Sequence, residues 1–85
     1  MAYRIEVLPS AAKELRKLPV KFRRQVARRI DALGDNPRPD GVRALKARGK
    51  GLWRIRSGDY RVIYRIKDEV LVVLVLKVAD RKDAY

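Results

Sequence analysis

Four arginines alternate with other residues along two neighbouring stretches of the chain, Arg54 and Arg56, then Arg61 and Arg65. Arginine stays protonated and offers a planar fork that matches a phosphate in a bidentate way. A cluster of arginines is therefore chemistry for gripping a polyanion and for stabilising charge that develops on a phosphate. Lys46, Arg48 and Lys50 precede the cluster, and Arg81 and Lys82 follow it. The chain has no His and no Cys, so the commonest general base, the thiol nucleophile and the thiolate zinc site are all missing. Gly49-Lys50-Gly51 lacks the spacing of a phosphate loop and leads into no helix. Asp80 and Asp83 read as partners for Arg81 and Lys82 rather than as metal ligands. No metal and no cofactor is expected.

The elements that must position these residues follow from hydrophobic period. Residues 3–8 alternate, with Tyr3, Ile5 and Val7 on one side, as a half-buried strand does. A helix follows, with Ser10 as expected N-cap, Glu14 in the first turn, and Ala11, Ala12, Leu15 and Leu18 on its apolar face. Pro19 separates it from a second helix, whose stripe is Phe22, Val26, Ile30 and Leu33 and whose C-cap is expected at Gly34. Its arginines, Arg23, Arg24, Arg28 and Arg29, read as an ordinary solvated helix back. Residues 35–51 carry three glycines and two prolines and read as a basic loop.

The remainder is strand. Residues 52–56 and 60–67 flank a Ser57-Gly58-Asp59 turn, and a second turn at Asp68-Glu69 leads into residues 70–78, apolar on both faces and hence a covered central strand. The expected fold is α+β in two layers: an N-terminal strand, a helical hairpin, then a three-stranded antiparallel meander (β-α-α-β-β-β). Parity puts Tyr60, Val62, Tyr64 and Ile66 on one face with Trp53 and Ile55. Arg54, Arg56, Arg61 and Arg65 then share the opposite, open face as a basic platform, with Asp59 as the single nearby acid.

The 85 residues form one expected domain, 1–85. Lys plus Arg number 22 against 10 Asp plus Glu, a net charge of +12, which points to a polyanionic partner. The opening Met-Ala-Tyr-Arg has no apolar signal region, and the longest apolar run, 70–76, is far below the ~20 residues of a membrane span. A cytoplasmic protein without a membrane partner is expected.

The segment Leu52-Trp53-Arg54-Ile55-Arg56-Ser57-Gly58-Asp59-Tyr60-Arg61-Val62-Ile63-Tyr64 resembles the hallmark of the RelE/ParE toxin superfamily. The Ala-x-Lys-x-Leu-x-Lys-Leu-Pro run ending at Pro19 and the ending Val78-Ala79-Asp80-Arg81-Lys82-Asp83-Ala84-Tyr85 resemble that family too, so the likeness covers nearly the whole chain. It implies a helical hairpin against an antiparallel sheet. In the RelE branch, which is favoured, it implies a metal-free endoribonuclease that cuts mRNA in the ribosomal A site, with a small cognate acidic antitoxin as partner. In the ParE branch it implies a non-enzymatic inhibitor of DNA gyrase. Charge alone also fits a plain RNA-binding or ribosome-associated module. The RelE resemblance puts functional residues at Arg54, Arg61, Arg81 and Tyr85; Asp80 stands where that family often carries His or a basic residue.

For metal-free cleavage the RNA 2′-OH attacks the adjacent phosphate in line. Arg61 and Arg81 are the expected stabilisers of the extra charge. Proton removal falls to Tyr85, Lys82, Lys50 or Asp80, and Tyr85 has base stacking as its alternative role. Arg54, Arg56, Arg65, Lys46, Arg48, Lys50 and Lys82 are the expected RNA-binding residues.

Overall fold

The computed structural model describes residues 2–45 and 51–80. Its order is β1 (Arg4–Val7), α1 (Pro9–Arg16), α2 (Val20–Ala32), β2 (Arg43–Ala44), β3 (Leu52–Ser57), β4 (Tyr60–Lys67) and β5 (Val72–Asp80). The strands form one sheet in the order β1-β5-β4-β3-β2. The meander β3-β4-β5 is antiparallel as expected, whereas β1 lies parallel to β5, so the sheet is mixed. The crossover of α1 and α2 makes that parallel return possible, since a tight turn cannot. A two-residue strand, β2, stands where the sequence reads as loop; Arg43 pairs with Arg54 and Ala44 with Trp53.

Both helices pack on one sheet face. Ala11, Val26, Ile30 and Leu33 meet Ile55, Val62, Tyr64, Ile66, Val73, Val75 and Val78 in a single core. Full burial of one such aliphatic side chain is worth roughly 1.5–3 kcal/mol. Tyr64 is fully buried, and its hydroxyl donates to the Pro37 carbonyl at 2.7 Å, which pins the chain leaving α2 to the sheet. Burial pushes the Tyr64 phenol up to about 12. Phe22, at the start of the α2 stripe, is 38% exposed and tilts against Tyr60 with ring centroids 5.6 Å apart.

The local expectations at the helix ends need correction. Leu8 is the N-cap of α1, with Pro9 in the first helical positions, where its missing N–H costs nothing. Ser10 therefore lies inside the helix, and Glu14 is beyond the first turn. The Glu14 carboxylate instead accepts the Val78 N–H at 2.9 Å and the Lys77 Nζ at 3.2 Å. β1 reaches only as far as Val75 along β5, so Glu14 satisfies a strand edge that β1 leaves open. The C-cap of α2 is Leu33, and Gly34 is not left-handed. A Cβ on Gly34 would stand 3.1 Å from the Tyr3 carbonyl oxygen and 3.2 Å from that of Asp31, so glycine is there for close approach.

The last strand begins two residues later than expected. Residues 68–71 form the turn, which leaves Val70 60% and Leu71 48% exposed, with Leu71 at φ 55°. β5 is central, but its cover is unequal: Val73 and Val75 are fully buried against the helices, and Leu74 on the other face is half-buried. Between the pairs Tyr64–Val75 and Ile63–Lys77, β5 carries the extra residue Leu76, a bulge that re-aims the end of the strand.

Candidate functional site

The β3–β4 register sets the geometry. Ile55 pairs with Val62 and Trp53 with Tyr64 on the helix-covered face, so Arg54, Arg56, Arg61 and Arg65 fall on the opposite one. Arg56 lies directly across from Arg61, and Arg54 across from Ile63 on one side and Arg43 on the other. Like charges at directly opposed strand positions disfavour each other, and an anion between them relieves the repulsion, so this register suits a negatively charged ligand. Arg56, Arg61, Tyr60, Asp59 and Gly58 line a recess of about 140 Å³.

The four arginines are not one open platform. Arg54 is 9% exposed, wedged between its neighbours on β2 and β4, and Arg56 is exposed. Arg65 is four residues along β4 from Arg61, about 13 Å at strand rise, and it pairs with Leu52 instead. The structure therefore brings Arg54, Arg56 and Arg61 together and leaves Arg65 in another neighbourhood, with Leu52 and Leu74 in its row. Lys46, Arg48, Lys50, Arg81, Lys82 and Tyr85 lie outside the described residues. Asp80, half-buried, ends β5 opposite Tyr60, the residue before Arg61.

Two arginines of α2, read from sequence as solvated helix back, join this neighbourhood. Arg29 is half-buried, and its Nε donates to the Arg56 carbonyl at 3.3 Å. Arg28 and Arg29 line a cleft of about 420 Å³ with Gln25, Arg56, Ser57 and Gly58. Arg29, Arg43, Arg54 and Arg56 line a second of about 430 Å³ with Gly41 and Val42. A signal was present for Arg29: it stands three residues after Val26 and four before Leu33, at the border of the buried stripe.

At the other end of β4, Arg38 donates from both Nη groups to Asp68, at 2.8 and 3.3 Å, and Tyr3 donates its hydroxyl to the same carboxylate. The Arg38 guanidinium also lies 5.2 Å from the Trp53 ring centre. The Arg38 hydrogen bonds, then that of Tyr3, hold Asp68 below its ordinary value, and the Asp68 carboxylate raises Tyr3. This cluster ties residues 34–40 to the β4–β5 turn and has no geometric link to the Arg56–Arg61 pair. Among the described residues, no three His, Cys, Asp or Glu side chains group together as a metal would need. No described helix is long and apolar enough to cross a membrane.

Comparison with known proteins gives consistent results. The sequence model of the family described as ParE toxin of type II toxin-antitoxin system matches residues 5–85. The mRNA interferase toxin RelE of Escherichia coli (strain K12) is 34% identical over 85 residues, which cover 96% of this chain and 86% of that protein. Toxin RelG of Mycobacterium tuberculosis is 36% identical over 87 residues, covering 100% and 98%. The archaeal RelE–RelB complex from Pyrococcus horikoshii OT3 superposes with a TM-score of 0.84 at 34% identity, over 99% of this chain and 100% of that one. The intact E. coli RelBE toxin–antitoxin complex gives 0.77 at 32% identity, over 93% and 96%.

Proposed function

This chain belongs to the RelE/ParE toxin superfamily, in its RelE-like branch, and from that premise we propose how its residues act. It is the toxin of a type II toxin–antitoxin pair, and its activity is endoribonucleolytic cleavage of mRNA. In our reading the cytoplasmic ribosome presents the strand, the 2′-OH attacks the neighbouring phosphorus, and the bond to the 5′ oxygen breaks. A cyclic phosphate and a 5′-hydroxyl result, with no metal or cofactor taking part. The observation that carries this reading is the direct pairing of Arg56 with Arg61 on the face away from the core.

Arg61 stabilises the charge on the attacked phosphate, because a fixed guanidinium fork needs no reorganisation as that charge grows. Arg81 shares the task; it follows Asp80, whose strand position is opposite Tyr60. Arg54, Arg56 and Arg65, with Lys46, Arg48, Lys50 and Lys82, hold the RNA. Tyr85 removes the 2′-OH proton or stacks on a base. The two described tyrosines with raised pKa, Tyr3 and Tyr64, are bonded to the scaffold and take no part. With no His to serve as base, substrate positioning by the ribosome supplies much of the rate.

The test is primer extension on mRNA from programmed ribosomes. Arg61→Ala and Arg81→Ala should each abolish most cleavage without unfolding the chain, and Arg61→Lys should restore only part. Tyr85→Phe loses activity if the phenol moves the proton and keeps it if the ring stacks. Wild-type cutting rates in both alanine variants would refute the assignment. Growth arrest with intact mRNA would refute the nuclease reading altogether.

The partner is an acidic, RelB-like antitoxin. On the arginine face half-buried Leu52 and Leu74 flank Arg65 in one row, and half-buried Ile63 lies beside Arg54 in the next, a strip in which apolar and basic side chains alternate. An amphipathic acidic segment fits such a strip, its apolar side on the leucines and its carboxylates toward the arginines.

A further inference from the structure

Arg56 lines all three recesses of this region: the one it shares with Arg61, the one with Arg28 and Arg29, and the one with Arg29, Arg43 and Arg54. The recesses therefore adjoin at Arg56. They run from the arginine face over the edge of β3 and on to α2. The path exists because β2 pairs only as far as Arg54, so among the described residues β3 has an uncovered edge from Ile55 to Ser57. An uncovered edge invites pairing with another strand. Here the Arg29 Nε occupies the Arg56 carbonyl, the acceptor such a strand would use.

No carboxylate lines either of the two larger clefts. Ion pairs among the described residues include Arg4–Glu6, Arg38–Asp68 and Lys77–Glu14, and none of these involves Arg28, Arg29, Arg43 or Arg56. Holding several arginines in two clefts whose linings carry no carboxylate costs stability, and solvated surfaces usually intersperse the two signs. The cost is offset when an anion occupies the groove. The Arg29 Nε hydrogen bond tethers its side chain to the β3 edge, so part of the ordering is done before binding.

We propose that this cleft binds the sugar–phosphate backbone of RNA, as a second grip beyond the pocket of the reacting phosphate. The proposal rests on the RNA-cleaving reading and adds Arg28, Arg29 and Arg43 to the residues that hold the strand. Two features favour RNA over an acidic protein. Every cationic group in the lining is arginine, whose fork suits phosphate. Val42 is the sole apolar side chain in the two linings, whereas protein interfaces are centred on buried apolar anchors. The RNA grip increases affinity and leaves the chemical step unchanged, because the groove does not touch the bond that breaks.

The experiment compares Arg28→Glu/Arg43→Glu with a charge-matched control, Arg16→Glu/Lys17→Glu at the C-terminal end of α1, whose two side chains are exposed and line neither cleft. The probe for binding is a single-stranded RNA made uncleavable by 2′-O-methylation, and cleavage is read on programmed ribosomes. The groove variant should lose at least tenfold in RNA affinity and raise KM, with kcat within twofold of wild type. Its salt slope should fall by about 0.7 for each phosphate it no longer neutralises, more than in the control. Arg28→Gln/Arg43→Gln, which removes charge without reversing it, should give a smaller loss in the same direction. Equal losses in groove variant and control would overturn the proposal, because net charge alone would then account for both. Unchanged RNA binding with weakened antitoxin binding would also overturn it and assign the groove to a protein partner. If wild type neither binds nor cuts RNA, the functional reading fails with it; if wild type does both and the groove variant matches it, this proposal alone fails.

Discussion

Asp68 accepts hydrogen bonds from Arg38 and Tyr3, residues from two distant parts of the chain. Its folded pKa is depressed, so the stability it contributes is present above the unfolded value of 3.8 and lost as pH falls through the lower folded one. Tyr3 behaves in the opposite sense. Its folded pKa is raised above 10.0, so its contribution is present below that value and lost as pH rises through the folded one. Asp68 is exposed and Tyr3 only half-buried, which keeps the effect small. Thermal melting of wild type and Asp68→Asn should therefore show wild type more stable at neutral pH, with the gap closing as pH drops below 3.8. A gap that persists in acid would mean that the carboxylate charge is irrelevant to the Arg38 contact.

At the scale of elements, the end of β5 depends on a helix. Glu14 on α1 supplies the acceptor for Val78 N–H that a longer β1 would have supplied. A hydrogen bond to a charged group is worth about 1.5–3 kcal/mol, and partial exposure puts this one at the low end. Glu14→Ala should lower stability by about 1.5 kcal/mol. It should also speed amide exchange at Val78 and Ala79 more than at Val73, which lies deeper in the strand. Glu14→Gln keeps an acceptor for Val78 and should recover part of the loss. Uniform exchange changes along β5 would show that Glu14 supports the fold in general rather than this edge. Because Asp80 ends the same strand, slackness there should reach cleavage as well, as a lower kcat.

For the molecule as a whole, the net charge of +12 decides behaviour more than any one contact. Such a charge repels itself, draws in polyanions and speeds their association. Expressed alone from a tight promoter, the chain should arrest growth; co-expression of an acidic RelB-like partner should restore it. Normal growth at good expression would contradict the toxin assignment. The Arg face and the β3-edge groove meet at Arg56. A partner lying over Leu52, Ile63 and Leu74 also covers Arg65 between them and Arg54 beside them, which is a direct physical route to inhibition.

Period and parity alone determined the helical stripe, the order of the main elements and the face on which each arginine of β3 and β4 lies. A strand side chain can point only one of two ways, so its face is legible without tertiary information. The motif around Arg61 determined the family. Tertiary structure decided the rest, because each missing piece joins residues far apart in the chain. Arg56 and Arg61 meet through the turn register, Val78 finds Glu14 across 64 positions, and Arg29 finds the Arg56 carbonyl across 27. Sequence spacing identified neither β2 nor the parallel seat of β1, since a strand of two residues has no period and a strand's direction is set by the chain that returns to it. The groove over the β3 edge arises from those two elements, where β2 stops short and α2 packs alongside. Its arginines were visible in the sequence, but their convergence came from the packing.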